Sequence, residues 1–231
     1  VKFLLTLLFG FVVGATVGAA LIYFNPLTEE RSPEINATAT LAYGVEADST
    51  LALTHGGQIK LPLRPREVAQ LWEATIKRSA LGVFLLKDED GAQVAIGSRI
   101  SQLSESSNLL INGIVQSDYW LISYPGRGTV YLEVDSNVWP LTRQTIVDVD
   151  LLGRDWSGPR RFEPTIGPAA NGTAQLIGAS GDFVGQYGSA TETYTIERYE
   201  KGQVFLEGLL GRLDLRLSGD DERIDEALSA Q

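Results

Sequence analysis

Few side chains in this sequence are of the types that do chemistry, and most of those are acids. Glu133, Asp148 and Asp150 fall in stretches that alternate apolar and polar residues, while Arg161 and Glu163 fall in a Gly- and Pro-rich run. A carboxylate turned into an apolar interior can act as a general acid or base, because burial raises its pKa. On an outward face it is simply solvated. For Asp148 and Asp150 the solvated reading fits better, since Val147, Val149 and Leu151 take the opposite side if this segment is a strand.

The run Asp88-Glu89-Asp90-Gly91 is acidic enough to attract calcium. It is too short to supply the spaced oxygen ligands of a calcium loop, and a hairpin turn explains it better. His55 is the single histidine and precedes Gly56-Gly57, so it reads as a turn residue. One histidine excludes a metal site built on two. The chain has no cysteine, which removes disulfides, thiolate catalysis, iron–sulfur clusters and thiolate zinc. It also lacks a phosphate-binding loop, a dinucleotide fingerprint and a G-x-S-x-G nucleophile motif. No catalytic residue and no metal ligand is assigned from sequence, and no cofactor is expected.

Whatever these residues do, residues 1–24 decide where they do it. After Lys2, the run to Phe24 contains no charge and no proline. It is long enough to cross a hydrocarbon core of roughly 30 Å at about 1.5 Å per residue. The run predicts a transmembrane anchor, with Tyr23 and Phe24 at its interfacial end. A cleaved export signal is the competing reading, with Val17-Gly18-Ala19 as a small-residue cleavage site. Lys2 on the N-terminal side favours a cytoplasmic N-terminus and a main domain across the membrane. That arrangement points to a single-pass protein of the bacterial inner membrane with its main domain in the periplasm. Gly10, Gly14 and Gly18 repeat every four residues and share one helix face, a pattern that lets a second transmembrane helix pack closely.

Beyond the anchor, residues 25–37 read as a polar linker, 38–218 as one domain and 219–231 as an acidic tail. Within the domain, residues 65–78 predict a helix whose stripe of Val68, Leu71, Trp72 and Ile76 docks on a sheet. From residue 81 the period changes to two. The segment 81–100 predicts a hairpin, 101–108 a loop, and 109–116, 119–124, 129–135 and 144–153 predict strands. Residues 154–172 form a long irregular connection. In the last strand Leu209, Gly211, Leu213, Leu215 and Leu217 alternate with Leu210, Arg212, Asp214 and Arg216. Trp72, Trp120, Trp139 and Trp156 read as core or interface aromatics. The net charge of −10 repels phosphate backbones and argues against a nucleic-acid partner.

The glycines Gly178, Gly181 and Gly188, with Phe183 between them, permit a sharp bend between strands, as barrel closure needs. This run resembles the G-G-T-G-x-F-x-x-A-x-G segment that precedes the last two strands of the allene oxide cyclase and dirigent barrel superfamily. Ala179, Ser180 and Gln186 stand where that segment has Gly, Thr and Ala. The resemblance implies an eight-stranded barrel whose interior holds a hydrophobic small molecule and steers its cyclisation or coupling. None of that family's active-site residues carries over onto a matching position.

The expected fold is therefore mainly β: a single N-terminal transmembrane helix, then an antiparallel β-barrel-like domain with one docked helix. The expected role is an accessory or scaffolding subunit of a larger integral membrane complex, with integral membrane proteins and membrane lipid as partners. The alternative is a membrane-tethered cyclase, isomerase or carrier for a lipophilic small molecule held inside the barrel.

Overall fold

The computed structural model describes residues 2–28, 32–45, 50–52, 79–203 and 208–219. The helix expected at 65–78, His55 and all but the first residue of the acidic tail lie outside them.

Helix α1 (Lys2–Tyr23) is a continuous span of 22 residues with no buried member. Its length and composition suffice to cross a membrane. The body is a closed antiparallel barrel of eight strands. Its staves are β1 (Ala39–Gly44), β3 (Ser79–Lys87), β4 (Gln93–Leu103), β5 (Val115–Tyr124), β6 (Gly128–Asn137), β9 (Ala174–Ala179), β10 (Tyr187–Ile196) and β11 (Leu209–Ser218). They run round in the order β1-β11-β10-β9-β6-β5-β4-β3, and the pair Ala42 and Lys87 closes β3 back onto β1. Short strands sit outside this ring: β2 (Thr50–Ala52) on β3, β7 (Arg160–Phe162) on β10 and β8 (Thr165–Gly167) on β6.

Period-two alternation sends one face of each stave inward. In β11, Leu209, Leu213 and Leu215 are buried and Leu210 and Arg212 are exposed, as the sequence predicts. The 81–100 hairpin also forms, with Gly91 at φ +82° and its N–H donating to the Asp88 carbonyl at 3.0 Å. At the glycine run β9 ends, a turn follows at Gly181–Phe183, and β10 begins at Tyr187. The connection after 154 is less irregular than expected, because it contains β7 and β8.

Two expected strands are not strands. Residues 144–153 are helical: α2 (Trp139–Thr142) runs directly into a wider π-type turn over Arg143–Leu151. Leu141, Thr145 and Val149 are buried along one side, with Trp139 buried at the start, and a spacing of four is a helix face, not a strand face. Residues 109–114 form a loop closed by Asn108 and Gly113, and β5 starts only at Val115. Gly113 at φ +76°, against the side chains of Asn137 and Trp139, ends the extended run there.

Helix α1 and the residues after it are held to the barrel by hydrogen bonds. The Tyr23 hydroxyl donates to Asp148 at 2.6 Å and accepts from Arg154 at 2.7 Å. The Tyr23 carbonyl accepts from Arg143 at 2.8 Å. Asn25 donates to the Leu110 carbonyl at 2.7 Å, and Asn137 donates to the Thr28 carbonyl at 2.8 Å. Thr28 is fully buried.

Candidate functional site in the barrel interior

The inward face of the barrel is apolar except for one cluster. Strand β10 places Ala190, Glu192, Tyr194 and Ile196 on its inner side, all buried. Strand β4 places Ala95, Gly97 and Arg99 inward, β5 contributes Asp118 and Trp120, and β1 contributes Tyr43. Arg99, Glu192 and Asp118 are thus brought together from three strands, at 8%, 0% and 1% exposure. Charged groups are almost never this buried unless paired.

Glu192 is the best satisfied of them. Its Oε2 accepts from the Tyr194 hydroxyl at 2.9 Å, and its Oε1 accepts from the Tyr43 hydroxyl and from Arg99 Nη1, the latter at 3.3 Å. The same Arg99 nitrogen reaches the hydroxyls of Tyr194 and Tyr43 at 3.1 and 3.3 Å. Its guanidinium carbon lies 5.3 Å from the centre of the Trp120 ring and 5.6 Å from that of Phe84, within cation–π range. On β11's side the ladder of β10 is continuous, but on its other side pairing with β9 stops at Ala190 and pairing with β7 starts at Tyr194, and the Glu192 N–H donates to the Thr165 hydroxyl of β8 at 2.8 Å.

Asp118 is the exception. Neither of its carboxylate oxygens has a hydrogen-bond partner of normal geometry, and neither does the hydroxyl of buried Ser136. Ser101 and Ser136 lie beside the carboxylate and favour its charged form, as does the charge of Arg99. Burial outweighs them and raises the Asp118 pKa. Burial likewise raises Glu192, against the opposing charge of Arg99. The phenols of Tyr43 and Tyr194 are pushed well above the usual value, first by burial and then by Glu192, so both stay protonated as donors. Burial also works against the Arg99 charge, but the surrounding acids and phenols keep it protonated. One cation therefore faces two carboxyl groups whose ionisation is disfavoured, which is an arrangement able to hold or exchange a proton.

Beside this cluster three aromatic rings take up interior space. Tyr43, Phe84 and Trp120 pack as a triad with ring centres 4.9 to 5.5 Å apart. A Cβ at Gly97 would lie 2.8 Å from the Trp120 ring, and Gly211 has no room for one beside Tyr43. Glycine on the facing strands makes the space for the large rings.

No protein-family model and no curated protein matches this chain. The site stands on its geometry alone.

The acids singled out from sequence lie elsewhere. Glu133 faces outward and accepts from the Tyr119 hydroxyl at 3.0 Å. Asp148 holds Tyr23 and Arg154, and Asp150 accepts from the Tyr199 hydroxyl at 3.1 Å and the Gly202 N–H at 2.9 Å. Burial and Asp150 together push the Tyr199 hydroxyl up to about 12. Arg161 and Glu163 form a partly exposed ion pair at 3.3 Å. Gly10, Gly14 and Gly18 share the bare helix, with nothing within 4 Å of where a Cβ would stand. Sequence reasoning missed Tyr43, Arg99, Asp118, Glu192 and Tyr194. The signal was the alternation itself, which places Glu192 in phase with Ala190 and Ile196, and Arg99 in phase with Ala95 and Gly97.

Proposed function

We propose that this protein is a membrane-anchored accessory subunit that docks its barrel on an integral membrane partner. One observation carries the reading: the outer face of β3 to β5 presents an exposed apolar patch. Val83, Leu85, Ile96, Ile100, Tyr119 and Leu121 stand out from it at 38–54% exposure. They are contiguous, because Leu85 opposes Ile96 and Ile100 opposes Tyr119 across the strands. Single exposed apolar residues are ordinary, but a patch spread over neighbouring strands marks a surface that is covered by a partner. The glycine face of α1 is a second bare surface, suited to a neighbouring membrane helix. With the domain periplasmic and the N-terminus cytoplasmic, one partner spanning the bacterial inner membrane covers both.

The test is purification in mild detergent from the native membrane, followed by mass spectrometry. Wild type is expected to bring an integral membrane protein with it in stoichiometric amount. Leu85→Lys with Leu121→Glu, or Gly14→Leu, is expected to lose it while the barrel stays folded. Recovery of the chain alone counts against this reading.

A second reading is favoured by Asp118, a buried carboxylate whose oxygens have no hydrogen-bond partner of normal geometry among the described residues. It makes the barrel a tethered cyclase, isomerase or carrier in which a lipophilic molecule offers a polar group to Asp118, as the resemblance to the allene oxide cyclase and dirigent barrels implies. The close packing of Tyr43 and Phe84 on Trp120 weighs against it. Recovery of the chain with a bound small organic molecule, lost in Asp118→Ala, would favour it.

A further inference from the structure

We infer that the barrel rests directly on the bilayer crossed by α1, with the tip of the β4–β5 loop inserted into the membrane interface. The inference depends on reading α1 as a membrane span, and it concerns a different surface from the partner face on β3 to β5.

The loop tip is Leu109-Leu110-Ile111, three consecutive aliphatic residues at 37%, 57% and 63% exposure. A connecting loop facing water has no reason to present such a run, and the chain does not bury it. The loop is nevertheless built to a definite shape. Asn108 Oδ1 accepts from the Leu110 N–H at 2.9 Å, the Asn108 carbonyl accepts from Ile111, Asn112 and Gly113, and Asn112 donates to the Ser106 carbonyl at 2.8 Å. Its polar groups are thus turned onto the loop itself and its aliphatic groups outward.

Its position fixes its depth. The Leu110 carbonyl accepts from Asn25, two residues past the end of the span. A span of 22 residues is about 33 Å long, close to the hydrocarbon thickness, so Tyr23 and Asn25 fall at the interface. A group hydrogen-bonded to Asn25 falls there too. Other exposed apolar residues surround the same junction. Phe24 and Leu27 lie on the chain leaving the span, and Leu151 and Leu152 lie between Asp148 and Arg154, the two side chains that hold Tyr23. Aliphatic and aromatic residues at headgroup depth gain by partial burial in the acyl boundary. Because α1 is held by hydrogen bonds at Tyr23, Asn25 and Thr28, insertion of the loop fixes the tilt of the barrel. It sets the barrel end carrying Asn137 and the start of β5 against the bilayer.

The absence of cysteine makes single-site labelling straightforward. Full-length Leu110→Cys, Ile111→Cys, Phe9→Cys and Ile177→Cys, each carrying a nitroxide, are reconstituted into vesicles of equal parts phosphatidylcholine and phosphatidylglycerol. Collision with oxygen and with a water-soluble nickel chelate is then measured. The labels at 110 and 111 are expected to be several-fold more protected from nickel than the label at 177, and enriched in oxygen collisions. If they match the label at 177 while the label at 9 is protected, the span stands and the docking is overturned. If the label at 9 is itself open to nickel, the span reading fails and the docking falls with it.

Discussion

Arg99 governs the barrel interior. Among the described residues it is the one guanidinium facing Glu192 and Asp118, and it supplies both carboxyls with an opposing charge. Removing one partner of a buried ion pair strands the other in a medium that cannot solvate it. Arg99→Met should therefore cost about 3–5 kcal/mol at neutral pH by urea unfolding. Part of that loss should return on acidification, as the stranded carboxyls take up protons. In the native chain both carboxyls titrate above their unfolded values of about 4. The folded state thus keeps its protons to higher pH than the unfolded state does. The stability contributed by these groups is complete below about pH 4 and is lost as pH rises through their raised native values. Asp118→Asn removes one of the two groups, so its urea midpoint should fall less steeply with pH over that window than that of wild type. An equal slope would mean that Asp118 is already satisfied in solution.

At the level of elements, the turns and the helix junction decide how the staves and the span are held. Gly91 and Gly181 both have positive φ, at +82° and +63°, but differ in surroundings. Nothing lies near a Cβ at Gly91, whereas one at Gly181 would meet the Arg127 carbonyl and lie 2.8 Å from the Gly128 Cα. Gly91→Ala should cost about 1–2 kcal/mol for the left-handed backbone alone. Gly181→Ala should add an overpacking cost of about 1–3 kcal/mol, since the clash is with backbone that cannot rotate away. Thermal or urea unfolding of the two variants separates the contributions. The junction of α1 with the barrel makes a different prediction. Spin labels at Thr16→Cys and Ile177→Cys should give a narrow distance distribution in the native chain. Tyr23→Phe deletes the hydroxyl bonded to Asp148 and Arg154 and should broaden it. An unchanged width would show that Arg143, Asn25 and Asn137 suffice to hold the helix.

For the whole molecule, the proposed role and membrane docking rest on three surfaces: the bare α1 face, the apolar outer patch of β3 to β5, and the loop tip beside Asn25. The closed ring of staves leaves no free edge of its own, so the proposed docking uses side chains on its outer wall. Exposed residues with few contacts contribute little to folding, and replacing them usually changes stability by less than about 0.5 kcal/mol. Leu85→Lys with Leu121→Glu should thus separate folding from assembly, leaving the unfolding midpoint near that of wild type and abolishing co-purification with the partner. Loss of the fold in that variant would assign the outer wall a structural role.

Some of this was fixed by local pattern alone. An uncharged run after Lys2 can only be a span-length helix, and strict alternation from Leu209 to Leu217 can only put one face in and one face out. Closure of the barrel was foreshadowed by the glycines around Phe183, because only such residues allow a bend that sharp. Local pattern failed where two periods coincide. Val147, Val149 and Leu151 alternate like a strand, yet Leu141, Thr145 and Val149 form the face that packs, and the packing surface decided for a helix. It failed again at the site. Glu192 looks like any acid in a polar strand until β1, β4 and β5 place Tyr43, Arg99 and Asp118 around it. Those residues are far apart in the chain, and their pairing depends on strand order and register, which only the closed barrel sets. The reach of a hydrogen bond or ion pair is a few ångströms, and nothing local in a sequence specifies which distant residues come within it.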